Sequence, residues 1–376
     1  MLAAFSKVLC LAQETDLNSV DLYHTDAPVS CKFVTLNDDR YWVYAVLDFR
    51  SNVTDPLWVQ YSWSTNEGDK VDSTQVTPGD SQSVLKWSFQ EVLPDLITVR
   101  LNWNAREWIF QEHFPMNAYH GSGGVSLWET SLPLLRSWIH IGDSVQVRSG
   151  ENGAVYTYFY GHDFDPARPP MTINPASGSA SLSIDSVFML KANQFYIPDK
   201  RGLYFFQADS TSTLGVSLVV TDPQFPKPRE ISDLTEPLIY VSTRNEFQSL
   251  KEDFSSKQAL DKFWLSTLGS AEKARAAIKN YYQNVEEANR LFTSYKEGWK
   301  TDRGMIYVIL GQPLVVKKEY ETETWTYRDS NGEEINFQFK KVSNIFSNDH
   351  YELFRDKNYD RPWFVAIDKW REGRIP

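Results

Sequence analysis

The sequence is poor in cysteine: Cys10 and Cys31 are the only two among 376 residues. Two thiols exclude a disulfide framework and a zinc site built from cysteines. The chain also lacks long apolar runs, and no stretch approaches the ~18 residues that a membrane-spanning helix requires. Acidic residues outnumber basic ones, and the net charge is −11. This balance argues against nucleic-acid binding, which needs a basic face.

Sequence motifs of catalytic and metal-binding sites are scarce as well. No pair of histidines has metal-ligand spacing. The six are His24, His113, His120, His140, His162 and His350. His-Gly-Ser-Gly-Gly at 120–124 resembles the oxyanion loop of esterases, but no Gly-x-Ser-x-Gly elbow accompanies it, so we interpret 115–127 as a flexible joint. Asp163 and Asp165 are too few carboxylates for a calcium site. We predict no catalytic residue, metal or cofactor, although counting carboxylates does not exclude a glycosidase pair.

Length and composition favour two or three folded domains. A chain of 376 residues can bury more than one core, and its hydrophobic content of 41% is that of an ordinary soluble protein. Aromatic residues are abundant at 14%, with 13 tryptophans. That abundance fits β-sandwiches, and it fits sugar-facing and protein-facing surfaces equally well.

The first residues resemble the end of a secretion signal. Ala12 is the small residue that would precede cleavage, and Gln13 would begin the mature protein. We therefore predict that residues 1–12 are a signal-peptide remnant and that the protein is exported to the periplasm or to either surface of the outer membrane. The basic start of a signal is missing and Lys7 interrupts the apolar run, so a start upstream stays open. A lipid anchor at Cys10 is the second possibility.

Short alternating runs dominate the first part of the chain. They are rich in β-branched and aromatic types and are separated by polar turns, which is typical of antiparallel β-sandwiches. The predicted strands lie at 41–49, 57–63, 84–89, 97–103, 144–148, 155–160, 181–184, 202–207 and 214–220. We predict one β-sandwich domain over 22–116 and a second over 128–222. Tryptophans in such strands pack in cores far more often than they bind sugars.

A change of pattern follows the second predicted sandwich. Residues 223–240 begin with Pro-Gln-Phe-Pro-Lys-Pro and are predicted to form a proline-rich linker. Beyond it, residues 241–376 are predicted to form an α+β domain with helices packed on a small antiparallel sheet. An apolar stripe recurs at spacings of four and three from Ala274 to Tyr295. This stripe predicts a helix over about 271–297 with one buried face.

The sheet of this last domain is predicted from two alternating runs. They flank Asn331-Gly332, which is a strong hairpin-turn pair. The aromatic side chains expected to share one face under the helix are Trp325, Tyr327, Phe337 and Phe339.

The most distinctive stretch lies between the predicted helix and the hairpin. Gly298 suits the left-handed position just past a helix end, where a Cβ would clash. Trp299 can then fold back onto that helix and bury against its stripe. Thr301 can accept a hydrogen bond as the cap of a new segment, with Asp302 near the positive end of that segment, and we predict that both side chains hold its N–H groups. We predict that these residues are structural.

The new segment itself is ambiguous. Residues 302–310 contain β-branched and aromatic types that favour a strand, whereas the Thr301 cap and the stop at Gly311 favour a short helix. Pro313 follows and ends the segment in either case.

Gly298, Trp299, Thr301 and Asp302 are the signature of the GWxTD domain, and the C-terminal part resembles that family of exported proteins of Bacteroidetes and related bacteria. Further matching positions are Arg303, Gly304, Gly311, Pro313, Trp325 and Tyr327. The resemblance extends from about residue 130 to the end. It implies export, and the family brings no biochemistry to carry over.

A second resemblance concerns the order helix, turn, Leu310-Gly311-x-Pro313 and Trp325-x-Tyr327. This order is similar to the small lipoprotein of the β-barrel assembly machine, of the SmpA/OmlA type. The resemblance implies a helix pair on a three-stranded sheet and the binding of partners at the outer membrane. Gly304, Met305 and Tyr307 depart from the more helical run of that group.

We therefore expect a non-enzymatic periplasmic or outer-membrane-associated protein that acts through protein–protein contacts. The expected partners are other envelope proteins, such as an outer-membrane β-barrel or its assembly machinery. Candidate partner-binding residues are Arg361, Trp363, Phe364, Trp370 and Arg371, because aromatic residues and arginine dominate interfaces. Docking of this run onto its own domain is the alternative. The alternative function is carbohydrate or peptidoglycan binding by the Trp-rich strands.

Overall fold

A computed structural model provides the structure. It describes residues 19–374 except 38–39, 51–52, 66–67, 79–81, 91–92, 115–122, 130–131, 151–152, 173–181, 254–255, 330 and 343. The described residues form mostly antiparallel β-sheets in the N-terminal part and, towards the C-terminus, six α-helices with a small antiparallel sheet. The predicted multidomain fold class is confirmed. The predictions for residues 1–12, Cys10 and His120 lie outside the described residues.

The first β-sandwich packs a three-stranded sheet on a four-stranded one. A two-residue strand β1 (Ser19–Val20) precedes this sandwich and belongs to the sheet of the C-terminal domain. The strands of the sandwich are β2 (Val29–Asn37), β3 (Tyr41–Phe49), β4 (Leu57–Thr65), β5 (Gly68–Val76), β6 (Gln82–Phe89), β7 (Leu96–Trp103) and β8 (Arg106–His113). The sheet orders are β2-β3-β6 and β5-β4-β7-β8. Alternation places side chains such as Ala45, Val59 and Val99 between the sheets, where they are buried. All four strands predicted between residues 41 and 103 are confirmed.

The second β-sandwich has a four-stranded and a five-stranded sheet. Its strands are β9 (Val125–Glu129), β10 (Leu132–Pro133), β11 (Trp138–His140), β12 (Val145–Ser149), β13 (Ala154–Tyr160), β14 (Ser186–Lys191), β15 (Gln194–Tyr196), β16 (Gly202–Gln207) and β17 (Val216–Thr221). The sheet orders are β10-β9-β12-β15 and β11-β17-β16-β13-β14. The β11–β17 pair is parallel, and the other described pairs are antiparallel.

One predicted strand of this sandwich is wrong. Residues 182–185 are not in a strand, and the strand β14 begins at Ser186 instead. Asp185 is used to close the preceding loop, because its N–H donates to the Phe159 carbonyl at 3.0 Å and its carboxylate accepts from the Gly161 N–H at 2.7 Å. These bonds delay the strand by several residues.

The proline-rich segment 223–240 is packed against the C-terminal domain. It ends in a short helix α1 (Ile231–Thr235) and a 3₁₀ turn (Glu236–Tyr240). Leu238 and Tyr240 are buried, and the Tyr281 hydroxyl donates to the Pro237 carbonyl at 2.6 Å. The segment thus joins two domains while contributing to the core of the second.

Five further helices and a five-stranded sheet form the rest of the C-terminal domain. The helices are α2 (Arg244–Glu252), α3 (Lys257–Leu268), α4 (Ala271–Phe292), α5 (Asp302–Leu310) and α6 (Asp360–Arg371). The sheet has the order β1-β18-β19-β20-β21, where β18 is Val315–Lys318, β19 is Thr322–Arg328, β20 is Glu334–Lys341 and β21 is Tyr351–Leu353. In the described part of the chain, no helix has the length and apolar content needed to cross a bilayer.

Helix α4 carries the predicted apolar stripe on its buried face, but it ends five residues before the predicted end. Its last residue is Phe292, and Thr293 has an extended backbone. The Thr293 hydroxyl donates to the Asn289 carbonyl at 2.6 Å and accepts from the Gly298 N–H at 2.9 Å. This side chain competes with the backbone for helical hydrogen bonds and so terminates the helix.

The ambiguous segment is helix α5, and the predicted hairpin is confirmed. Burial on all sides and the Thr301 cap outweigh the strand preference of Val308 and Ile309. Strands β19 and β20 pair as a hairpin. Its buried aromatic residues, Trp325, Tyr327, Phe337 and Phe339, lie under α4, whose Phe292 ring lies 5.5 Å from the Trp325 ring.

The three domains are joined differently. The first β-sandwich and the C-terminal domain share one continuous hydrophobic core, and β1 pairs with β18. The second β-sandwich has its own core, and a smaller cluster on its outer face packs against Tyr295 and Phe346 of the C-terminal domain. Both joints meet at the turn between α4 and α5.

Candidate functional site

The turn between α4 and α5 depends on close backbone approach at Gly298. The left-handed conformation predicted for Gly298 is wrong: its φ is not positive, and it begins a 3₁₀ turn (Gly298–Lys300) well after the end of α4. A Cβ on residue 298 would lie 1.9 Å from the Ala288 carbonyl oxygen, and a Cβ on Gly304 would lie 1.8 Å from the Gly298 carbonyl oxygen. Glycine is needed at both positions because the backbones of α4, the turn and α5 touch.

Trp299 is buried against α4, as predicted, with 3% of its surface exposed. Its backbone N–H donates to Asn289 Oδ1 at 3.1 Å, and its indole Nε1 donates to Glu297 Oε2 at 2.6 Å. Its carbonyl accepts from the Tyr240 hydroxyl at 3.0 Å. The backbone of Trp299 therefore fastens the turn to α4 and to the segment that follows the second β-sandwich.

Thr301 caps α5, as predicted. Its Oγ1 accepts from the Gly304 N–H at 3.0 Å and donates to the Gly298 carbonyl at 2.7 Å. The cap thus satisfies one group of the new helix and one group of the turn.

Asp302 does not hold the N–H groups of α5, so that prediction is wrong. Its carboxylate accepts from the Leu353 N–H at 2.7 Å and from both terminal nitrogens of Arg355, at 3.0 Å and 2.7 Å. Thr301 already occupies the capping position, and the Asp302 side chain points to β21 instead. The bidentate pair holds the end of the sheet against the start of α5.

Lys300 occupies the variable position of the signature and connects the turn to the second β-sandwich. Its side chain is 5% exposed, and its Nζ lies 2.5 Å from Asp163 Oδ1 and 3.3 Å from Glu236 Oε2. A third carboxylate, that of Glu297, lies 3.5 Å away. Burial alone would lower the pKa of Lys300, but the three carboxylates raise it, so the amine stays charged.

Sequence reasoning missed Lys300. The partner Asp163 lies in a loop of another domain, and no local pattern connects the two positions. The same loop makes a second contact with the turn, because the Ala167 N–H donates to the Lys300 carbonyl at 3.0 Å.

Arg303 is buried among charged and aromatic side chains. Its Nη1 lies 3.3 Å from Oε1 of Glu323, whose side chain is 0% exposed. Its Nη2 lies 3.0 Å from Asp349 Oδ1, and its guanidinium lies 4.2 Å from the centre of the Tyr351 ring. Burial opposes the charge, yet the neighbouring carboxylates raise the pKa of Arg303 further above its ordinary value. The pair between Arg303 and Glu323 is therefore an ion pair between two buried side chains.

The buried charges continue into the first β-sandwich. Lys318 Nζ lies 3.7 Å from Glu323 Oε1 and 2.5 Å from Oε2 of Glu112, which belongs to β8. The Tyr23 hydroxyl, just after β1, donates to Glu323 Oε2 at 3.1 Å. An alternating series of charges thus runs from α5 through the small sheet to the other domain.

The remaining signature positions also make structural contacts. Gly311 has a φ of 72°, which favours glycine, and its carbonyl accepts from the Tyr327 hydroxyl at 2.9 Å. Pro313 and Trp325 are buried. The arrangement holds domains together, and its carboxylates are occupied by cations and backbone donors. Among the described residues, no cluster of three or more His, Cys, Asp or Glu could hold a metal ion.

The candidate partner-binding run forms helix α6. Trp363 and Trp370 are buried in the domain's own core, and Trp370 Nε1 donates to the Ile309 carbonyl at 2.8 Å. Arg371 Nη2 lies 2.8 Å from Oε1 of Glu246 in α2. These three side chains dock α6 onto its own domain.

The outer face of α6 is different. Arg361 is exposed, Phe364 is 52% exposed and Val365 is 40% exposed. Their spacing places them side by side on one face of the helix. We call these three residues the α6 ridge.

The tryptophans do not form an exposed row. All 13 lie in the described part of the chain, and Trp58 alone is exposed, with 64% of its surface accessible to solvent. The others are buried or half-buried, as expected for residues that pack in cores and between strands.

Comparison with known families gives one match. Residues 202–372 match the family model of the GWxTD domain. The matched part begins at β16 in the second β-sandwich and extends past the end of α6. No curated protein matches the chain.

The close approach at Gly298 predicts that Gly298→Ala destabilises the protein by about 3 kcal/mol or more, because backbone atoms must separate. Equilibrium urea unfolding measures the change. Gly150→Ala is the control: a Cβ there meets nothing within 4 Å, so its effect should stay within about 0.5 kcal/mol. Equal stabilities of the two variants would contradict the packing role of Gly298.

The buried clamp predicts that Asp302→Ala costs about 3–5 kcal/mol, because Arg355 and the Leu353 N–H lose their partner. Asp163→Ala is the matched control, since Asp163 pairs with Lys300 from a side chain that is 74% exposed. Its removal should cost about 1 kcal/mol or less. Denaturant unfolding of both variants tests the difference, and a loss for Asp302→Ala no larger than that of the control would refute it.

Proposed function

We propose that this chain, which contains a GWxTD domain, is a non-enzymatic interaction protein of the bacterial envelope. It acts by holding surfaces in fixed positions for other proteins, and it turns over no substrate.

The observation that supports this proposal is the position of the signature. Every residue from Gly298 to Gly304 is buried. Lys300 reaches Asp163 in the second β-sandwich, and Arg303 joins the charges that reach Glu112 in the first. The contacts of residues 298–304 thus fix the relative positions of the three domains. A protein that works by presenting surfaces needs that property.

The electrostatics of the joint also favour binding over catalysis. General acid–base catalysis needs a group that exchanges a proton with a substrate at its working pH. Lys300 and Arg303 are instead held in their charged forms by neighbouring carboxylates. Such groups are suited to structural ion pairs.

The α6 ridge is the proposed contact surface on the C-terminal domain. Aromatic side chains and arginine usually provide the strongest points of an interface. Phe364 and Arg361 have this composition and lie on a helix whose other face is anchored by Trp363 and Trp370. A rigid support of this kind lowers the entropic cost of binding, because fewer side chains must be ordered.

The proposed partners are other envelope proteins. The resemblance of the C-terminal domain to the small lipoprotein of the β-barrel assembly machine makes an outer-membrane β-barrel, or its assembly machinery, the first partner to test. Carbohydrate binding is less well supported, because Trp58 is the one exposed tryptophan among the described residues.

The contact surface is tested by affinity purification of the tagged protein from its own envelope. Phe364→Asp should abolish the recovery of a partner that the unchanged protein retains, because a charge replaces the apolar centre of the ridge. Leu265→Asp is the control, since Leu265 in α3 is 50% exposed on the same domain. Both variants should keep their melting temperature, as neither side chain is buried.

Retention of the partner by Phe364→Asp would contradict the α6 ridge. Hydrolysis of glycan, peptide or ester substrates by the pure protein, lost on replacing one buried carboxylate or serine, would contradict the non-enzymatic function.

The proposed location in the cell envelope rests on the resemblance of residues 1–12 to a secretion signal. Fractionation of cells that express the native gene should recover the protein from the envelope, with Gln13 as its first residue after signal cleavage. An acylated Cys10 at the N-terminus would identify a lipoprotein instead. Recovery from the cytoplasm with residues 1–12 attached would contradict export.

A further inference from the structure

A cavity of about 200 Å³ lies where the first β-sandwich meets the C-terminal domain. Its walls come from the segment after β1, from strands β2, β3 and β8 with their flanking residues, from the end of α4, and from the region around α5 and the small sheet. The apolar part of the lining includes Val29, Phe110 and Leu291. An engineered cavity of about 150 Å³ holds benzene, so this volume suits a small organic molecule.

The polar part of the lining carries more positive than negative charge. Six cationic side chains face four carboxylates. Three of the carboxylates, those of Asp21, Glu112 and Asp349, are already paired with an arginine or a lysine. The fourth, Asp48, accepts a hydrogen bond from Gln82 at 2.7 Å. The acidic groups of the cavity are therefore mostly occupied.

Two of the cations share a carboxylate outside the cavity. Arg290 lies 2.5 Å from Glu287, and Arg50 lies 3.6 Å from the same side chain. Within the described part of the chain, no ion pair joins the remaining cations, Lys32 and Lys341, to a carboxylate. The cavity thus contains two ammonium groups without a direct counter-ion.

Further polar groups of the lining also lack partners. Arg50 Nε and His113 Nδ1 are buried, and neither has a hydrogen-bond partner among the described residues. Arg50 Nε is a donor only. Buried donors without acceptors are uncommon in folded proteins, and they call for a ligand or ordered water.

Lys32 lines the cavity with a side chain that is also exposed to solvent. Desolvation lowers the pKa of its amine, and the carboxylates of Asp349 and Asp48 act in the opposite direction. Arg303 lowers it further. An additional negative charge beside Lys32 would therefore be favourable.

We propose that this cavity binds a small molecule that carries a carboxylate or phosphate group, with Lys32 and Lys341 as its counter-ions. Both groups offer several acceptor oxygens on one negative charge centre, which matches unpaired ammonium groups and a buried guanidinium donor. The apolar wall receives the rest of the molecule. The site is independent of the α6 ridge and of the contacts made there.

Two probes distinguish the possible sources of the oxyanion. The full chain is titrated by calorimetry at low ionic strength with inorganic phosphate and, separately, with succinate. At least one probe should bind, and Lys32→Met should weaken its affinity tenfold or more, because a hydrogen bond to a charged group is lost. Binding of phosphate alone assigns phosphate as the recognised group, and binding of succinate alone assigns a carboxylate.

Lys70→Met is the matched control, because Lys70 is an exposed lysine of the same β-sandwich outside the cavity. It should leave both affinities unchanged. If Lys32→Met fails to fold, Lys341→Met provides the same comparison. Absence of binding by both probes would overturn the proposal, as would equal affinities in the unchanged protein and the cavity variant.

Discussion

A carbonyl oxygen of α4 occupies the place where residue 298 would carry a Cβ, and the arrangement of this protein depends on that contact. Because Gly298 and Gly304 have no side chain, α4, the turn and α5 lie against one another. This proximity brings Trp299 within hydrogen-bonding distance of Asn289 and directs Asp302 to β21. It also places Lys300 and Arg303 on opposite sides of the turn, each facing a different β-sandwich. Removing the contact would misplace all four side chains at once.

The joints between the domains combine apolar packing with buried charge. The two contributions differ in kind: the shared apolar core supplies most of the stability, whereas buried ion pairs gain little net free energy after desolvation. What the ion pairs provide is geometric selectivity. Glu323 accepts hydrogen bonds from Arg303, Tyr23 and Trp325. A misdocked first β-sandwich would deprive Glu323 of Tyr23 and Lys318 of Glu112.

Local pattern is sufficient for the predicted strands other than 181–184 and for the buried stripe of α4, because both follow from the period of the apolar residues. It was sufficient for Thr301 too, since capping is a local interaction. It failed wherever the partner is distant in sequence. Local pattern places Gly298 at a helix end. Its actual contact, the Ala288 carbonyl, depends on the path of the turn, which the local pattern does not reveal. The partners of Asp302 lie 51 and 53 positions away, and Asp163, the nearest partner of Lys300, lies in another domain.

The pairing of β1 with β18 has a consequence for the order in which the chain can fold. Tyr23 and Glu323 touch across 300 positions, so Tyr23 and strand β1 lack their partners in the C-terminal sheet until synthesis is nearly complete. The second β-sandwich contains all of its own core and can form early. The first cannot finish burying its apolar residues until the last domain arrives. Such late closure slows folding and prolongs the exposure of apolar surface, and β1 is packed near the end of the process.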